Sequence, residues 1–226
     1  MIFLEQLLWI IYPYIVITVF ILGLFLRYNN DQRGWSSKSS ELLEKNLLKW
    51  GSTLFHIGII FAFLGHVAGI IVPLWFYRGL GVSDEQYHIM ATIMGGLAGL
   101  ASCIGLAILV YRRFMVTRVR MTSSFSDLIS ILLLLLVVFN GMLVTIVHSI
   151  NPAGFDYRAS LAPWFRGILT LKPDVTLMMQ VPILFKFHVF TAFLFFALMP
   201  FTRMVHIISQ PVTYIFRSYI VYRKRS

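Results

Sequence analysis

Five stretches of this chain are each long and apolar enough to cross a bilayer: about Leu7–Leu26, Ser52–Trp75, Ile89–Tyr111, Leu128–His148 and Val181–Ile208. A spanning helix needs about 20 apolar residues. Inside hydrocarbon the backbone must satisfy its own hydrogen bonds, so continuous runs of this kind fold as helices. Between the runs only short polar segments remain, too short for a soluble domain with its own core. The reading is an all-α integral membrane bundle, residues 1–226 forming a single five-span unit. Composition agrees, with 58% hydrophobic residues, 12% charged residues and a mean hydropathy of +0.81. The first run is too long for a signal peptide, and no small-residue cleavage site follows it. It reads as a retained first span.

The charge pattern sets the expected orientation. Fourteen Lys and Arg residues fall on one side: Arg27 to Lys49 after span 1, Arg112 to Arg120 after span 3, and Arg203 to Arg225 at and beyond the end of span 5. The other side holds five: Arg78, Arg158, Arg166, Lys172 and Lys186. Basic loops stay cytoplasmic, which places the N-terminus outside and the C-terminus in the cytoplasm, in the cell membrane. The same rule accounts for the net charge of +10 without nucleic acid. Glu41–Trp50 reads as a short amphipathic helix on the inner surface, Gly79–Tyr87 as an outer turn, and Leu161–Leu171 as an interfacial cap over the outer end. The one cysteine, Cys103, excludes a disulfide framework, a CxxCH haem attachment and a cysteine-bound iron–sulfur cluster in this chain.

Ionisable residues at membrane depth are costly and mark function. Four of the six histidines are at such depth: His56 and His66 on span 2, His188 and His206 on span 5. These spans run in opposite directions. His66 and His188 therefore share the outer depth, and His56 and His206 the inner depth. Two imidazoles from facing helices at one depth are what a bis-histidine haem requires. The spacings do not match on straight helices. Ten residues separate His56 from His66, about 15 Å, whereas eighteen separate His188 from His206, about 27 Å. Tilted haem planes, helix tilt and a kink near Pro200 are the expected ways to absorb the mismatch. Gly65 and Gly69 beside His66, with Gly95, Gly96 and Gly99 on span 3, leave room for a flat macrocycle or a neighbouring helix. His88 and His148 read as interfacial. Arg203, three residues before His206, and Arg112 and Arg113, at the end of span 3, are candidate partners for haem propionates.

Several local motifs carry a resemblance. IYPYI at Ile11–Ile15, LRY at Leu26–Tyr28, LFHIG at Leu54–Gly58, GHVAG at Gly65–Gly69, FKFH at Phe185–His188 and PFTRMVHIISQPV at Pro200–Val212 together resemble the gamma subunit of membrane-bound respiratory nitrate reductase, a di-haem cytochrome b. The resemblance covers nearly the whole chain. It implies two b haems, an outer one on His66 and His188 and an inner one on His56 and His206. It also implies quinol oxidation at the outer face, with electrons passing inward to an iron–sulfur beta subunit and a molybdenum alpha subunit that reduces nitrate. One departure stands out. The family's quinol site carries a lysine at the outer start of span 3, where this chain reads Asp84-Glu85-Gln86-Tyr87-His88. Tyr87 and His88, with Gly65 and His66, are the candidate quinol-site residues. Two other readings compete: the cytochrome b of a hydrogenase, formate dehydrogenase or thiosulfate reductase, and a histidine-lined transporter. The motifs speak against the first. The second calls for acidic residues within the spans, and Asp127 is only at an end.

Overall fold

A computed structural model describes residues 2–31, 35, 39–150 and 155–208. Five helices in it are long and apolar enough to cross a membrane: Phe3–Asn30, Asn46–Ile71, Asp84–Met115, Phe125–Ile150 and Ile183–Phe201. No strand occurs among the described residues. Arg33, Lys38, Pro152 and the basic tail from Arg217 to Arg225, all used in the charge or loop reading, lie outside them.

Local chemistry fixes where the spans begin. Span 3 opens on a capping box: Ser83 Oγ accepts from the Gln86 amide, and Gln86 Oε1 accepts from the Ser83 amide. Asp84 and Glu85 lie in that first turn, where the helix dipole favours negative charge. Tyr87 and His88 are therefore on the span 3 helix itself, not in an outer turn. Span 4 starts with a similar exchange between Ser124 and Asp127. Span 2 begins at Asn46, and the Glu44 carboxylate accepts from the Leu47 and Leu48 amides. The separate surface helix expected at Glu41–Trp50 is thus corrected: Asn46 to Trp50 are the first turns of the span, because Glu44 caps it directly.

Prolines interrupt three spans, and each interruption has a partner. Span 1 carries a π-helical turn at Leu7–Ile11. Pro13 has no N–H to give to the Trp9 carbonyl four residues back, and the Trp164 indole supplies one at 2.9 Å. Span 2 ends in a π-helical turn, Val67–Ile71, and Val72 is extended ahead of Pro73. The expected end at Trp75 is corrected, since Leu74–Gly79 is a separate short helix. Arg166 Nη1 donates to the Ile70 carbonyl at 2.6 Å. Span 5 is α-helical over Ile183–Leu198, tightens to 3-10 at Met199–Phe201, and is extended at Thr202. It then resumes as a 3-10 turn over Arg203–Ile207. Span 5 is thus not one helix to Ile208, and His206 is not on a common helix face with His188.

Packing follows small residues, as expected where lipid gives helices no hydrophobic reason to associate. Spans 2 and 3 approach so closely that a Cβ on Gly58 would collide with the Ser102 backbone, and one on Gly105 with that of Phe55. The Leu161–Leu169 helix is not merely laid on the surface. Trp164, Ile168 and Leu161 are buried against Trp9, Phe185 and Phe193. A second cluster joins Leu106, Ile131, Leu134, Val138, Phe195 and Met199. The bundle exterior carries exposed Ile57, Ile60, Phe61, Leu64, Ile93 and Leu97, a surface suited to lipid.

Candidate haem and quinol sites

Opposed imidazoles occupy two levels of the bundle. The His66 and His188 ring centroids are 6.1 Å apart with planes 33° apart. Those of His56 and His206 are 6.4 Å apart at 59°. Both pairs join span 2 to span 5, as the depth argument requires. The spacing mismatch disappears because the break at Met199–Thr202 lets His206 leave the span 5 helix and meet His56.

Three of the four rings are oriented by the backbone. Nδ1 of His56 lies 2.7 Å from the Ser52 carbonyl, Nδ1 of His66 2.7 Å from the Ala62 carbonyl, and Nδ1 of His206 2.8 Å from the Arg203 carbonyl. A carbonyl only accepts, so Nδ1 donates its proton there and Nε2 is left with a lone pair for a metal. His188 differs. Its Nδ1 is buried and makes no hydrogen bond of good geometry, although the Val137 carbonyl approaches the ring. Its position is set by packing instead. A Cβ on Gly141 would lie 2.9 Å from His188 Cε1, so only glycine leaves the ring its place. Gly141 had no signature in the sequence, since nothing there tells which face of span 4 meets span 5.

The donor set can be compared with what a haem needs. Among the described residues no group of three or more His, Cys, Asp or Glu side chains gathers as a protein-only metal site would. Two opposed imidazoles leave a metal's remaining positions open, a macrocycle would fill them, and the residues present fit a b haem at each level. Gly65, Gly95 and Gly96 have no neighbour within 4 Å of where a Cβ would stand, which leaves open space beside His66 and span 3.

One turn beyond His66, Gly69 packs against two phenols. A Cβ there would lie 3.0 Å from the Tyr157 hydroxyl and 3.2 Å from that of Tyr87. The two hydroxyls are 3.4 Å apart. They border a cavity of about 330 Å³ whose lining includes Tyr87, His88, His148, Tyr157 and Arg158. The structure thus brings Tyr87 and His88 to the end of the bundle that holds His66. Gly65 is exposed on the same helix, outside the cavity lining.

Comparison with known proteins places the whole chain. The family model for the nitrate reductase gamma subunit matches residues 5–225. The nitrate reductase gamma chain of Bacillus subtilis is 52% identical over 98% of this chain and 99% of its own length. The respiratory nitrate reductase 2 and 1 gamma chains of Escherichia coli are 38% and 34% identical, over 95% and 99% of both chains. The chain belongs to the nitrate reductase gamma subunit family. It is a multi-pass membrane subunit of an oxidoreductase complex, which removes the transporter reading and the cytochromes of other oxidoreductases.

At the other end of the bundle, the candidate propionate partners have protein partners. Arg112 is buried and uses four donor contacts within the chain, to Glu44 Oε2, Ser40 Oγ and the Ser40 and Glu44 carbonyls. That leaves little of its five-donor fork for any other acceptor. Arg203 Nη1 and Arg113 Nη1 lie 3.7 and 3.5 Å from the two oxygens of Asp127. Arg203 also holds His206 through its carbonyl. Arg27, read in the sequence only as an orienting charge, donates to the Pro200 and Thr202 carbonyls at 2.7 and 2.8 Å. Trp35 Nε1 donates to the Val205 carbonyl at 3.1 Å. Together they secure the turn that carries His206.

Proposed function

We propose that this subunit holds two non-covalent b haems, one between His66 and His188 and one between His56 and His206, and links quinol oxidation to nitrate reduction by its partner subunits. The observation that carries this reading is the pair of opposed imidazole couples, with Nδ1 tied to backbone carbonyls at three of the four rings. When bound, each haem supplies a one-electron carrier. The chain's own residues do the rest. The four histidines set the depth of the two centres. Tyr87, His88 and the adjacent cavity receive quinol near the His66 level, where a polar lining gives its protons a way out. The Arg112 end, rich in cations, faces the cytoplasm and docks the iron–sulfur beta subunit, which leads to the molybdenum alpha subunit. The N-terminus is then outside the cell membrane and the C-terminus inside.

Acidic acetone extraction of the purified complex tests this, together with a reduced-minus-oxidised visible spectrum. Two b haems per gamma subunit are expected, all extractable, because no CxxCH is present to retain them covalently. A fully loaded preparation with one haem, or with none, rejects the two-pair arrangement.

A further inference from the structure

His148 and His88 form a second kind of histidine pair. His148 comes from the last turns of span 4 and His88 from the first turns of span 3. Their rings meet edge to face with centroids 4.8 Å apart. Among the described residues neither ring has a hydrogen-bond partner, and both line the 330 Å³ cavity. Two imidazoles without partners beside a polar cavity have proton-accepting nitrogens to offer. The cavity also lies close to the outer haem ligands along two separate helices. Gly69, three residues beyond His66, contacts the lining phenols. Phe185, three residues before His188, packs its ring 6.3 Å from that of His148. Three residues correspond to about 4.5 Å of helix rise, so on each helix the cavity begins about one turn from a haem ligand.

We infer that His148 and His88 are the proton-accepting pair of the quinol site, with Asp84 and Asp156 as the exit toward water. This rests on the proposal that quinol is oxidised at this end. Oxidation breaks both O–H bonds of the quinol and leaves a dione. The two protons pass to the two imidazoles. The two electrons would leave singly for the haem that His66 and His188 would hold. The charged groups around the pair suit onward transfer. Asp84 and Glu85 come from span 3, and Asp156, Tyr157 and Arg158 from the segment that closes the cavity. Arg158 is held by Asp156 at 3.0 Å and by Asp84 at 3.4 Å, and it covers the Tyr87 ring at 4.7 Å. Arg78 holds Asp84 from the other side at 3.0 Å. Both carboxylates are thereby fixed at the mouth, and Asp84, Glu85 and Asp156 are exposed to solvent.

The test uses the intact complex in sealed vesicles with menadiol, a soluble naphthoquinol. His148→Gln and His88→Gln keep a polar side chain but cannot take a proton near neutral pH. With both haems present by visible spectrum, His148→Gln is expected to slow menadiol-driven haem reduction by roughly a hundredfold, the usual range for a lost general base. In the wild-type protein the rate is expected to fall on acidification, since an imidazole that already carries the proton cannot accept one from the quinol. That acid limb is expected to vanish in the double variant. Menadione has no proton to give, so its binding, read by calorimetry, is expected to change little. Should His148→Gln fail to assemble, His88→Gln alone must still flatten the acid limb. Wild-type rate and pH profile in the assembled variants overturn the assignment. Wild-type complex that menadiol does not reduce, or that releases protons on the Arg112 side, overturns instead the placement of quinol oxidation at this end.

Discussion

The two ends of the bundle hold the same ligand chemistry by different means. At the His66 level, His188 sits on an unbroken α-helix and is positioned by a missing side chain, Gly141. The surroundings are aromatic and capped by the buried Trp164 helix. At the His56 level, His206 sits on a 3-10 turn beyond a proline break. That turn is held by donors from elsewhere in the sequence, Arg27 and Trp35. Its surroundings are ion pairs, Arg112 with Glu44 and Arg113 and Arg203 with Asp127. One end therefore depends on packing and keeps a cavity. The other depends on hydrogen bonds and ties Arg112, Arg113 and Arg203 into ion pairs within the chain. On the proposed function, quinol enters at the first end and the soluble partner docks at the second.

The strongest break of this comparison removes one ligand at a time. His66→Ala and His188→Ala are each expected to abolish the same b haem, and His56→Ala and His206→Ala the other, leaving its counterpart in place. Redox titration of each variant in membranes, monitored by visible absorbance, separates the two centres. Loss of one common haem by the His56 and His66 variants contradicts the pairing.

The intermediate test sets packing against hydrogen bonding. Gly141→Val forces carbon into the space of the His188 ring, an overpacking that costs about 1–3 kcal/mol in a tight interior. It should lower occupancy of the His66 level alone. Arg27→Leu strips the Pro200 and Thr202 carbonyls of a charged donor, a loss of about 1–3 kcal/mol. It should weaken the His206 level alone. Haem content per level after mild heating reads both variants. A Gly141→Val protein that loses the His56–His206 haem first removes the distinction.

How much of this was legible in the sequence depends on what each feature needs. Span number follows from apolar runs, and histidine pairing from depth, because both are one-dimensional properties of a chain in a bilayer. The Ser83 and Gln86 cap is local too, yet the stretch read as an outer turn, so the start of span 3 was missed. Features that need to know which helix faces which were not legible. Gly141 looks like any glycine until span 5 is placed beside span 4. Arg27 reads as an orienting charge until the Pro200 break brings it two carbonyls. Trp164 has no evident role until Pro13 leaves the Trp9 carbonyl without its usual donor. The proline break itself was legible as a kink, but not its extended Thr202, which lets the 3-10 turn begin. His148 read as interfacial because its partner His88 lies 60 residues away in sequence.

The smallest expected effect concerns the capping network at the Arg112 end, and it is a matter of pH. Burial alone would raise the Glu44 carboxyl, but the Leu47 and Leu48 amides and the Arg112 guanidinium outweigh it and hold it below the usual carboxylate range. A lowered folded-state value means that the unfolded chain binds the proton more readily. The resulting stability is fully present above the ordinary glutamate value of about 4.3 and is lost as pH falls through the lowered one. Glu44→Gln cannot titrate and keeps only weaker bonds to the same donors. It should cost about 1–2 kcal/mol at neutral pH, the scale of a hydrogen bond to a charged group with part of its contact retained. The difference from the wild type should shrink as the medium is acidified below pH 4.3. Thermal unfolding followed by loss of the His56–His206 haem, measured across that range in detergent, gives both numbers. A difference that stays constant with pH would mean that Glu44 acts through shape alone, and that the ion pair with Arg112 contributes nothing to holding this end of the bundle together.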